Sequence, residues 1–471
     1  MHNQLITRSP RDKCGVCGVF GHPEAARLTY FGLYALQHRG QNSAGMVSHD
    51  GSRTWTRKAI GLISEVFTEE HLQSLKGEAA LGHVLDSSLS DISILNIQPF
   101  TATHRGRTIS VAHNGSITNI KQLRADLHAK GAIFHSEISS EIVVHLLAHC
   151  VGLDLVSALL TTFAEIKGAF SMLLLVDGTL VAVRDPHGFR PLCLGRLDNG
   201  GYVVASETCA FDLIDAKYLR DIEPGEILLI DSNGLRSVYL PQKCPSFCIF
   251  EQVYFARPDS NMFGTSVYQS RKRMGEALAR ECRVEADLVM PFPDSGIYAA
   301  LGYAQATAIP FELGLIRNHY IGRTFIQSAR SDRALAVRMK LNPVRSLLRG
   351  KRVIIIDDSA ISGATVSSKI RSLREAGARE VHLLVSCPPI RFSCAYGIHF
   401  PARDRLLANG KSIVQIRDNL GLDTLHYLSL DGLIKAAGGE SVSYCKACMD
   451  SICPERKDPV EHESGGVEKI M

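Results

Sequence analysis

The strongest constraint on the fold is an uninterrupted apolar run, residues 353–356, that ends in two adjacent acids, Asp357 and Asp358. A run this short and this rich in β-branched residues is typical of a parallel strand that is covered on both faces. A helical pattern follows over residues 366–376, and Gly377 suits the position just after a helix. The segment therefore predicts a strand–loop–helix unit of an open α/β sheet.

The same alternation of strands and helices continues through the second half of the chain. Apolar strand patterns at residues 286–290 and 381–386 lie on either side of the run at 353–356, and residues 297–307 have helical spacing. Such alternation predicts a doubly wound sheet that binds its ligand outside the carboxyl ends of the strands.

The first half has a different pattern, which predicts a strand-rich, layered domain that ends near Tyr239. Residues 169–176 and 179–183 are predicted to pair as neighbouring strands. Residues 108–113 form another strand pattern, and the Asn114-Gly115 dipeptide directly after it is typical of tight turns. We therefore expect the chain to turn at Asn114-Gly115.

Composition excludes several classes of function. The 471 residues are too many for one ordinary core, which predicts two or three domains. A net charge of +4, with no block of Lys or Arg, argues against nucleic-acid and membrane-surface binding. Residues 1–13 lack the apolar core of a signal peptide, so a cytoplasmic location is expected. In that reducing compartment, 13 cysteines predict metal binding or catalysis rather than disulfides.

The loop after the paired acids has the composition of a phosphate site. Backbone amides of such a loop and the N-terminus of the following helix can bind a phosphate dianion. Because carboxylates repel phosphate, we assign Asp357 and Asp358 to ribose hydroxyls, with Mg²⁺ nearby. The segment resembles the ribose-phosphate loop of type I phosphoribosyltransferases, which implies 5-phosphoribosyl-1-pyrophosphate as the ligand. The candidate binding residues that follow the acids are Ser359, Ser362, Gly363, Ala364 and Thr365.

Two further segments match the same enzymes. Residues 288–296 end a strand in a turn rich in Pro and Gly, and the resemblance implies a pyrophosphate loop with Asp294 and Ser295 at the substrate and Ser295 also near the Mg²⁺. Residues 320–342 are basic and polar, and the resemblance implies a flap that carries Arg323 and Lys340 to the pyrophosphate. Closure of such a flap would exclude water from the reacting ribose carbon.

The N-terminal segments resemble amidotransferases that use an N-terminal nucleophile. The resemblance is carried by Cys14 with the residues that follow it, and by residues 36–45, which read LQHRGQNSAG. It implies that a leader, residues 1–13, is removed and that the thiol of Cys14 then attacks a side-chain amide, with its own α-amine as the base. It also implies a catalytic role for Arg39 and an oxyanion site at Asn114 and Gly115.

Together these segments, from Cys14 to Cys448, resemble the glutamine phosphoribosylpyrophosphate amidotransferase (amidophosphoribosyltransferase) family. The resemblance implies an N-terminal-nucleophile αββα sandwich over 14–243, a type I phosphoribosyltransferase domain over 244–440 and a cysteine-containing tail over 441–471. The implied reaction makes 5-phosphoribosylamine from phosphoribosyl pyrophosphate and glutamine-derived ammonia, as the first step of purine synthesis. The implied partners are small-molecule substrates, nucleotide regulators and further copies of the chain in a homo-oligomer.

Four cysteines stand where some members of the family bind a [4Fe–4S] cluster. The spacing alone leaves zinc open as an alternative, and Cys244 and Cys453 are near enough in sequence to be rival ligands. We expect a structural clamp that ties the polar tail to the rest of the chain through its cysteines alone. The implied ligands are Cys248, Cys394, Cys445 and Cys448.

Two positions depart from the family where it binds the ends of glutamine. Leu85 stands in place of an Arg that holds the α-carboxylate, and Ser139 stands in place of an Asp that holds the α-ammonium. Each charged hydrogen bond is worth roughly 1.5–3 kcal/mol, so losing both weakens glutamine binding severely. Three explanations stay open: a rewired glutamine pocket, in which Asp86 takes the ammonium, a different amine or amide donor, or a scaffold domain beside an ammonia-dependent site. A non-catalytic sensor of phosphoribosyl pyrophosphate is a fourth.

Overall fold

The computed structural model describes residues 14–86, 93–318, 341–439 and 442–455. The predicted leader therefore lies outside the described residues, as does nearly all of the predicted flap. The strands of the first half are β1 (Cys14–Phe20), β2 (Ser43–His49), β3 (Thr54–Ile60), β4 (Ala79–Leu85), β5 (Phe100–His104), β6 (Arg107–Ile117), β7 (Gly168–Val176), β8 (Thr179–Arg184), β9 (Cys193–Arg196), β10 (Tyr202–Ala205), β11 (Lys217–Asp221), β12 (Glu226–Asp231) and β13 (Gly234–Tyr239).

These strands form two antiparallel sheets that pack face to face. Among the described residues, one sheet has the order β11-β9-β10-β1-β4-β2-β3 and the other β13-β12-β8-β7-β6-β5. Apolar side chains from both sheets meet between them, including Val16 and Leu81 from the first and Leu173 and Leu228 from the second. Burial of this shared core holds the two layers together.

Helices cover the outer face of each sheet, which completes the predicted αββα layering. The first helix packs on β1 and β4, and the fifth packs on β6. Among the described residues, every helix is too short or too polar to cross a lipid bilayer. The helices of the first half are α1 (Ala25–Ala35), α2 (Ile63–Val66), α3 (Glu69–Ser74), α4 (Ile120–Ala129), α5 (Ser139–His149), α6 (Leu155–Glu165) and α7 (Cys209–Asp212).

The expected turn at Asn114-Gly115 is wrong, because both residues lie inside β6. They pair with Ser171 and Phe170 of β7, and the strand continues to Ile117. Gly115 has a φ of 138°, and a side chain there would collide with the backbone of β7. The glycine is therefore needed for close approach between strands rather than for a reversal of the chain.

The second half contains a parallel sheet of the predicted kind, with the order β17-β20-β21-β22 among the described residues. The strands of the second half, within and outside this sheet, are β14 (Phe247–Cys248), β15 (Asn261–Met262), β16 (Thr265–Ser266), β17 (Leu288–Pro291), β18 (Leu315–Arg317), β19 (Leu341–Pro343), β20 (Arg352–Asp357), β21 (Glu380–Val385), β22 (Thr424–Tyr427) and β23 (Tyr444–Cys445). Its helices are α8 (Val267–Glu281), α9 (Ile297–Thr307), α10 (Arg345–Leu348), α11 (Gly363–Glu375), α12 (Ile413–Leu420), α13 (Leu430–Ala436) and α14 (Ala447–Asp450).

One of the two inner strands of this sheet is the apolar run that the sequence singles out. In β20, residues 353–356 are fully buried, and α9 packs on both β17 and β20. Parallel strands with helices packed on them have no polar face, which explains the continuous apolar pattern. The doubly wound fold predicted for this half is confirmed.

The tail is held by more than its cysteines, so that part of the prediction is wrong. Strand β23 pairs in parallel with β14, which aligns Cys445 with Cys248. The backbone N–H groups of Arg391 and Phe392 also donate to the carbonyl of Cys448, at 3.0 and 3.1 Å. The division of the chain at residues 243 and 440 stays a prediction.

Candidate active sites and a cysteine-lined cavity

The paired acids lie at the carboxyl end of β20, where the sequence places a ligand. Both are nearly fully buried: Asp357 is 6% exposed and Asp358 is 4% exposed. The hydroxyls of Ser295 and Ser359 hydrogen-bond to Asp358. Ser295 belongs to the predicted pyrophosphate loop, so this contact joins the two loops at one edge of the sheet.

Burial and mutual repulsion make it costly for both acids to be charged. Burial raises the pKa of Asp357 to about 7, Lys369 at 4.0 Å opposes the rise, and the neighbouring Asp358 adds to it. Burial also raises the pKa of Asp358, against the hydrogen bonds from its serine partners. A carboxylate pair of this kind is stabilised by a cation or by hydroxyl donors, which a magnesium–sugar complex supplies.

The N-terminus of α11 completes this edge. Ser362 is the N-cap residue, and its side chain caps no backbone N–H, so those amides remain available. The first turn contains Gly363, Ala364 and Thr365. The predicted pyrophosphate loop packs closely against the end of β20, because a side chain at Gly296 would collide with the carbonyl of Ile356. Exposed amides at a helix N-terminus form a ready anion site.

The pyrophosphate loop has an ionic partner that sequence reasoning missed. Asp294 forms an ion pair with Arg317 of β18, and both side chains are about half exposed. The only sequence signal was that Arg317 ends a short strand just before the predicted flap. The two flap residues assigned to substrate, Arg323 and Lys340, lie outside the described residues.

The predicted nucleophile and oxyanion residues lie on facing sheets of the first half. Cys14 begins β1 and is buried, at 4% exposure. Asn114 is fully buried on β6, and neither its Oδ1 nor its Nδ2 has a hydrogen-bond partner among the described residues. A buried amide with both polar atoms unsatisfied is expensive, which points to a ligand that supplies the partners.

Two histidines near Asn114 were not anticipated from the sequence. His83 Nε2 contacts the carbonyl oxygen of His113 at 3.2 Å, and His113 Nδ1 contacts Ser139 Oγ at 2.5 Å. Burial lowers the pKa of His83 to about 4, so this ring is neutral near pH 7. A buried histidine inside an apolar strand is the one signal that could have flagged His83.

Both departures from the family border this site. Leu85 lies directly opposite Cys14 in the β1–β4 register, so the two side chains share one face of the sheet. Ser139 begins α5 and touches the histidine beside Asn114. Glu141 is buried and engaged with its own loop, accepting from the backbone N–H groups of His135 and Ser136, both at 2.7 Å. Apolar Leu85 and neutral Ser139 therefore occupy the predicted ionic positions.

Arg39 lies behind the nucleophile strand, in a buried ionic network. A side chain at Gly15 would lie 3.4 Å from Arg39 Cβ, which places the arginine against β1. Arg39 donates to Glu207, and to Glu251 at 2.6 Å. Arg190 donates to the same Glu251 at 3.1 Å. Glu251 belongs to the second half, so Arg39 joins the two halves, and its catalytic role stays a prediction.

The charges of this network are fixed by pairing. Burial raises the pKa of Glu207, but Arg39 and His38 outweigh that effect and hold it well below its ordinary value. His38 Nε2 lies 2.6 Å from Glu207 Oε1. Buried pairs of this kind add little net stability, but removing one partner strands a charge.

The four predicted cluster ligands surround one cavity. A fifth cysteine, Cys453, lies on its wall as well, whereas Cys244 is exposed elsewhere. Within the described residues, no three Cys, His, Asp or Glu side chains stand close enough together to bind a single ion. The cavity is lined by Cys248, Phe250, Ser393, Cys394, Ala395, Tyr396, Ile398, Cys445, Ala447, Cys448 and Cys453.

The loop that follows Cys394 also touches the oxyanion strand. A side chain at Gly397 would lie 3.2 Å from the carbonyl carbon of Gly115 and 3.2 Å from Nη2 of Arg190. Arg190 Nη2 in turn donates to the carbonyl of Tyr396 at 3.1 Å. The cavity, the ionic network and the oxyanion glycine are thus in direct contact.

Comparison with known proteins identifies the family. A glutamine amidotransferase domain family matches residues 87–212, and a phosphoribosyl transferase domain family matches residues 269–392. Amidophosphoribosyltransferase 1 of Arabidopsis thaliana, a chloroplastic protein, is 46% identical over 99% of this chain and 82% of its own length. The chain belongs to the amidophosphoribosyltransferase family. Membership confirms the predicted enzyme class, a glycosyltransferase that carries a glutamine amidotransferase domain.

Other members of the family support the same conclusion. The amidophosphoribosyltransferase of Bacillus subtilis is 43% identical over 96% of this chain and 94% of its own length. A solved structure of the B. subtilis enzyme complexed with ADP and GMP has a TM-score of 0.90 and covers 95% of this chain and 99% of that one. A structure of the allosteric regulatory enzyme of purine biosynthesis has a TM-score of 0.91 at 43% identity, covering 95% and 98% of the two chains.

Proposed function

We propose that this chain makes 5-phosphoribosylamine from phosphoribosyl pyrophosphate and glutamine-derived ammonia, the first step of purine synthesis. Its family and its two-part fold support that activity. One observation carries the assignment of the phosphoribosyl site: two buried acids, Asp357 and Asp358, at the tip of a central parallel strand, tied to a second loop through Ser295. In this site the ammonia nitrogen bonds to C1 of the ribose as the C1–oxygen bond breaks, and pyrophosphate leaves with the electron pair.

Different residues bind different parts of the substrate. Asp357 and Asp358 accept hydrogen bonds from the ribose hydroxyls, and the amides of 362–365 bind the 5-phosphate at the start of α11. Asp294 and Ser295 stand at the pyrophosphate, and Arg323 and Lys340 complete its binding from the flap. The buried carboxylates and the Ser295 hydroxyl suit Mg²⁺, which, when bound, neutralises charge on the departing pyrophosphate.

Calorimetry with Mg²⁺ and phosphoribosyl pyrophosphate tests this site. The double variant D357N/D358N keeps the shape of both side chains but removes their charge, and we expect it to abolish measurable binding. D418N, on the exposed face of α12, is the matched control and keeps full affinity. Unchanged binding by D357N/D358N would overturn the assignment.

The proposed glutaminase chemistry uses residues on the two facing sheets. The leader is removed, the α-amine of Cys14 takes the thiol proton, and the sulfur attacks the carboxamide carbon of glutamine. The Asn114 amide and the Gly115 N–H stabilise the tetrahedral oxyanion, ammonia leaves with the proton, and water hydrolyses the thioester. The unsatisfied amide of Asn114 supports this role. Intact mass of the purified chain tests it: a chain that still begins at Met1 cannot use this base.

A second candidate function is favoured by Leu85, which stands opposite the nucleophile where an ionic partner for glutamine is expected. In this alternative, free ammonia or another amine reaches the phosphoribosyl site directly, in a specialised pathway. Pyrophosphate release with glutamine, with ammonium and with neither discriminates the two. Release with ammonium alone favours the alternative, and binding without any release favours a non-catalytic sensor.

Restoring the two ionic partners tests whether their loss weakens glutamine binding. In L85R/S139D the guanidinium and carboxylate would meet the two charged ends of glutamine, and we expect the KM for glutamine to fall at least tenfold. The ammonium-dependent rate is the internal control and stays constant. No change in KM would show that glutamine is bound by other residues, such as Asp86.

We also propose a [4Fe–4S] cluster, rather than zinc, at Cys248, Cys394, Cys445 and Cys448. Tetrahedral zinc holds its sulfurs roughly 3.8 Å apart around one point, whereas a cluster fills a space between thiolates. The four cysteines line a cavity, and no three metal-binding side chains of the described residues converge on one ion. The residues therefore suit the cluster, which serves as a structural clamp. Four iron and four sulfide per chain would support it, and one zinc without iron would refute it.

The regulators and setting are proposed from the relatives. Purine nucleotides regulate this chain in our proposal, which is supported by the B. subtilis enzyme having been solved as a complex with ADP and GMP. The chain acts as a homo-oligomer in the cytoplasm, although the Arabidopsis relative is chloroplastic. Inhibition curves with AMP, ADP and GMP, and light scattering of the purified protein, check these two points.

A further inference from the structure

The cavity that suits a four-cysteine cluster has five thiols on its wall. Cys453 is buried at 6% exposure and lies on the same cavity as Cys248, Cys394, Cys445 and Cys448. A cubane cluster takes one thiolate per iron, so one of the five is left over. The position of that thiol decides what it can do.

Cys453 is not equally close to the other four. It packs in one small apolar cluster with Cys394 and Cys445. Among the described residues, Cys248 and Cys448 are not part of that cluster and pack in the core of the second half.

A hydrogen bond holds Cys453 in place. Its sulfur lies 2.9 Å from the hydroxyl of Tyr396, which also accepts from the backbone N–H of Glu455 at 3.3 Å. The Tyr396 ring is stacked on Phe189, with centroids 4.1 Å apart, so the hydroxyl is fixed. Because the hydroxyl already accepts one bond, its own proton is available to the sulfur, which suits a thiolate as well as a thiol.

We propose that Cys453 is a reserve ligand of the cluster, able to replace Cys394 or Cys445 but not Cys248 or Cys448. The inference rests on the cluster proposed above. When one of the two neighbouring thiolates is lost, the Cys453 thiol gives up its proton to solvent and its sulfur bonds the iron left open. Iron and sulfide are neither oxidised nor reduced in this exchange.

Isosteric variants of the holoprotein test the proposal without any assay of activity. Iron, acid-labile sulfide and visible absorption are measured for C394S, C445S, C248S and C448S, each with and without C453A. We expect C394S and C445S to keep about four iron per chain and to lose them when C453A is added. C248S and C448S lose the cluster in either background, and C453A alone keeps it.

Three outcomes would contradict the proposal, each for a different reason. If wild-type protein holds no iron, the cluster proposal itself fails. If wild type holds four iron but C394S and C445S lose them while circular dichroism shows a folded chain, Cys453 is not a reserve ligand. If C394S/C453A still keeps its cluster, the introduced serine is the ligand, and the inference fails as well.

Discussion

The two candidate sites of this chain differ in how many of the residues expected from the family are present. At the edge of the parallel sheet, the acids are hydrogen-bonded to loop hydroxyls, and the N-terminus of α11 has no side-chain cap. At the facing sheets, the nucleophile and oxyanion residues are present, but Leu85 and Ser139 occupy the positions of both ionic partners. The two sites can therefore be tested separately, one for binding of the activated ribose and the other for binding of glutamine.

The largest expected effect separates the two sites directly. C14A removes the sulfur that attacks the amide, so the glutamine-dependent rate falls by about 1000-fold or more, while the ammonium-dependent rate is unchanged. Pyrophosphate release with each nitrogen source measures both. Equal loss with ammonium would mean that the two sites are not separable.

A second prediction concerns the ionic network between the two sites. E251Q leaves Arg39 and Arg190 sharing a neutral amide, and we expect a loss of about 3 kcal/mol in the free energy of unfolding. The control is E69Q, which breaks the exposed pair with Arg27 and costs much less. Denaturant unfolding measures both. Similar losses from the two variants would show that the buried network contributes no more to the free energy of unfolding than the exposed pair does.

A third prediction uses the raised pKa of Asp357, about 7. Below that pH the carboxyl is protonated and cannot accept from the ribose or attract Mg²⁺. Affinity for the magnesium complex of phosphoribosyl pyrophosphate therefore falls about tenfold for each unit of pH below 7 and levels off above it. The same shift makes the free protein less stable as pH rises from about 4 to 7, because the folded state holds the proton more tightly. Calorimetry across this range, with D418N as a control that keeps the wild-type pH profile, measures the first effect.

The smallest expected effect links the cysteine-lined cavity to the glutamine site. Gly397 has a φ of 104° and lies against the backbone of Gly115, so G397A strains the loop and presses on the oxyanion strand. We expect a loss of about three- to tenfold in glutamine-dependent rate, with little change when ammonium is used. G410A, also at positive φ but in open space, is the control. Equal effects of the two variants would refute the link.

The sequence predicted what local patterns determine. The apolar strand with its two acids and the following helix were identified because each signal lies within a few residues of the chain. The four cysteines, spread from position 248 to 448, were assigned from the family resemblance instead. The turn at Asn114-Gly115 was wrong for the opposite reason: pairing with β7 overrides the local preference of the dipeptide.

What the sequence did not reveal depends on contacts between distant segments. Arg39 finds Glu207 and Glu251 across more than 160 residues, and no local pattern marks those partners. Likewise Cys453 was only a rival ligand by spacing, and its place beside Cys394 and Cys445 needed the folded tail.

The parallel pairing of β14 with β23 sets an order for biosynthesis. The cavity wall is complete only when residues near 445–453 have left the ribosome, about 200 residues after Cys248. At about 5–20 residues per second, that interval lasts roughly 10–40 s. Until residue 445 is made, the set of proposed ligands is incomplete, so assembly of the proposed cluster would follow synthesis of the tail.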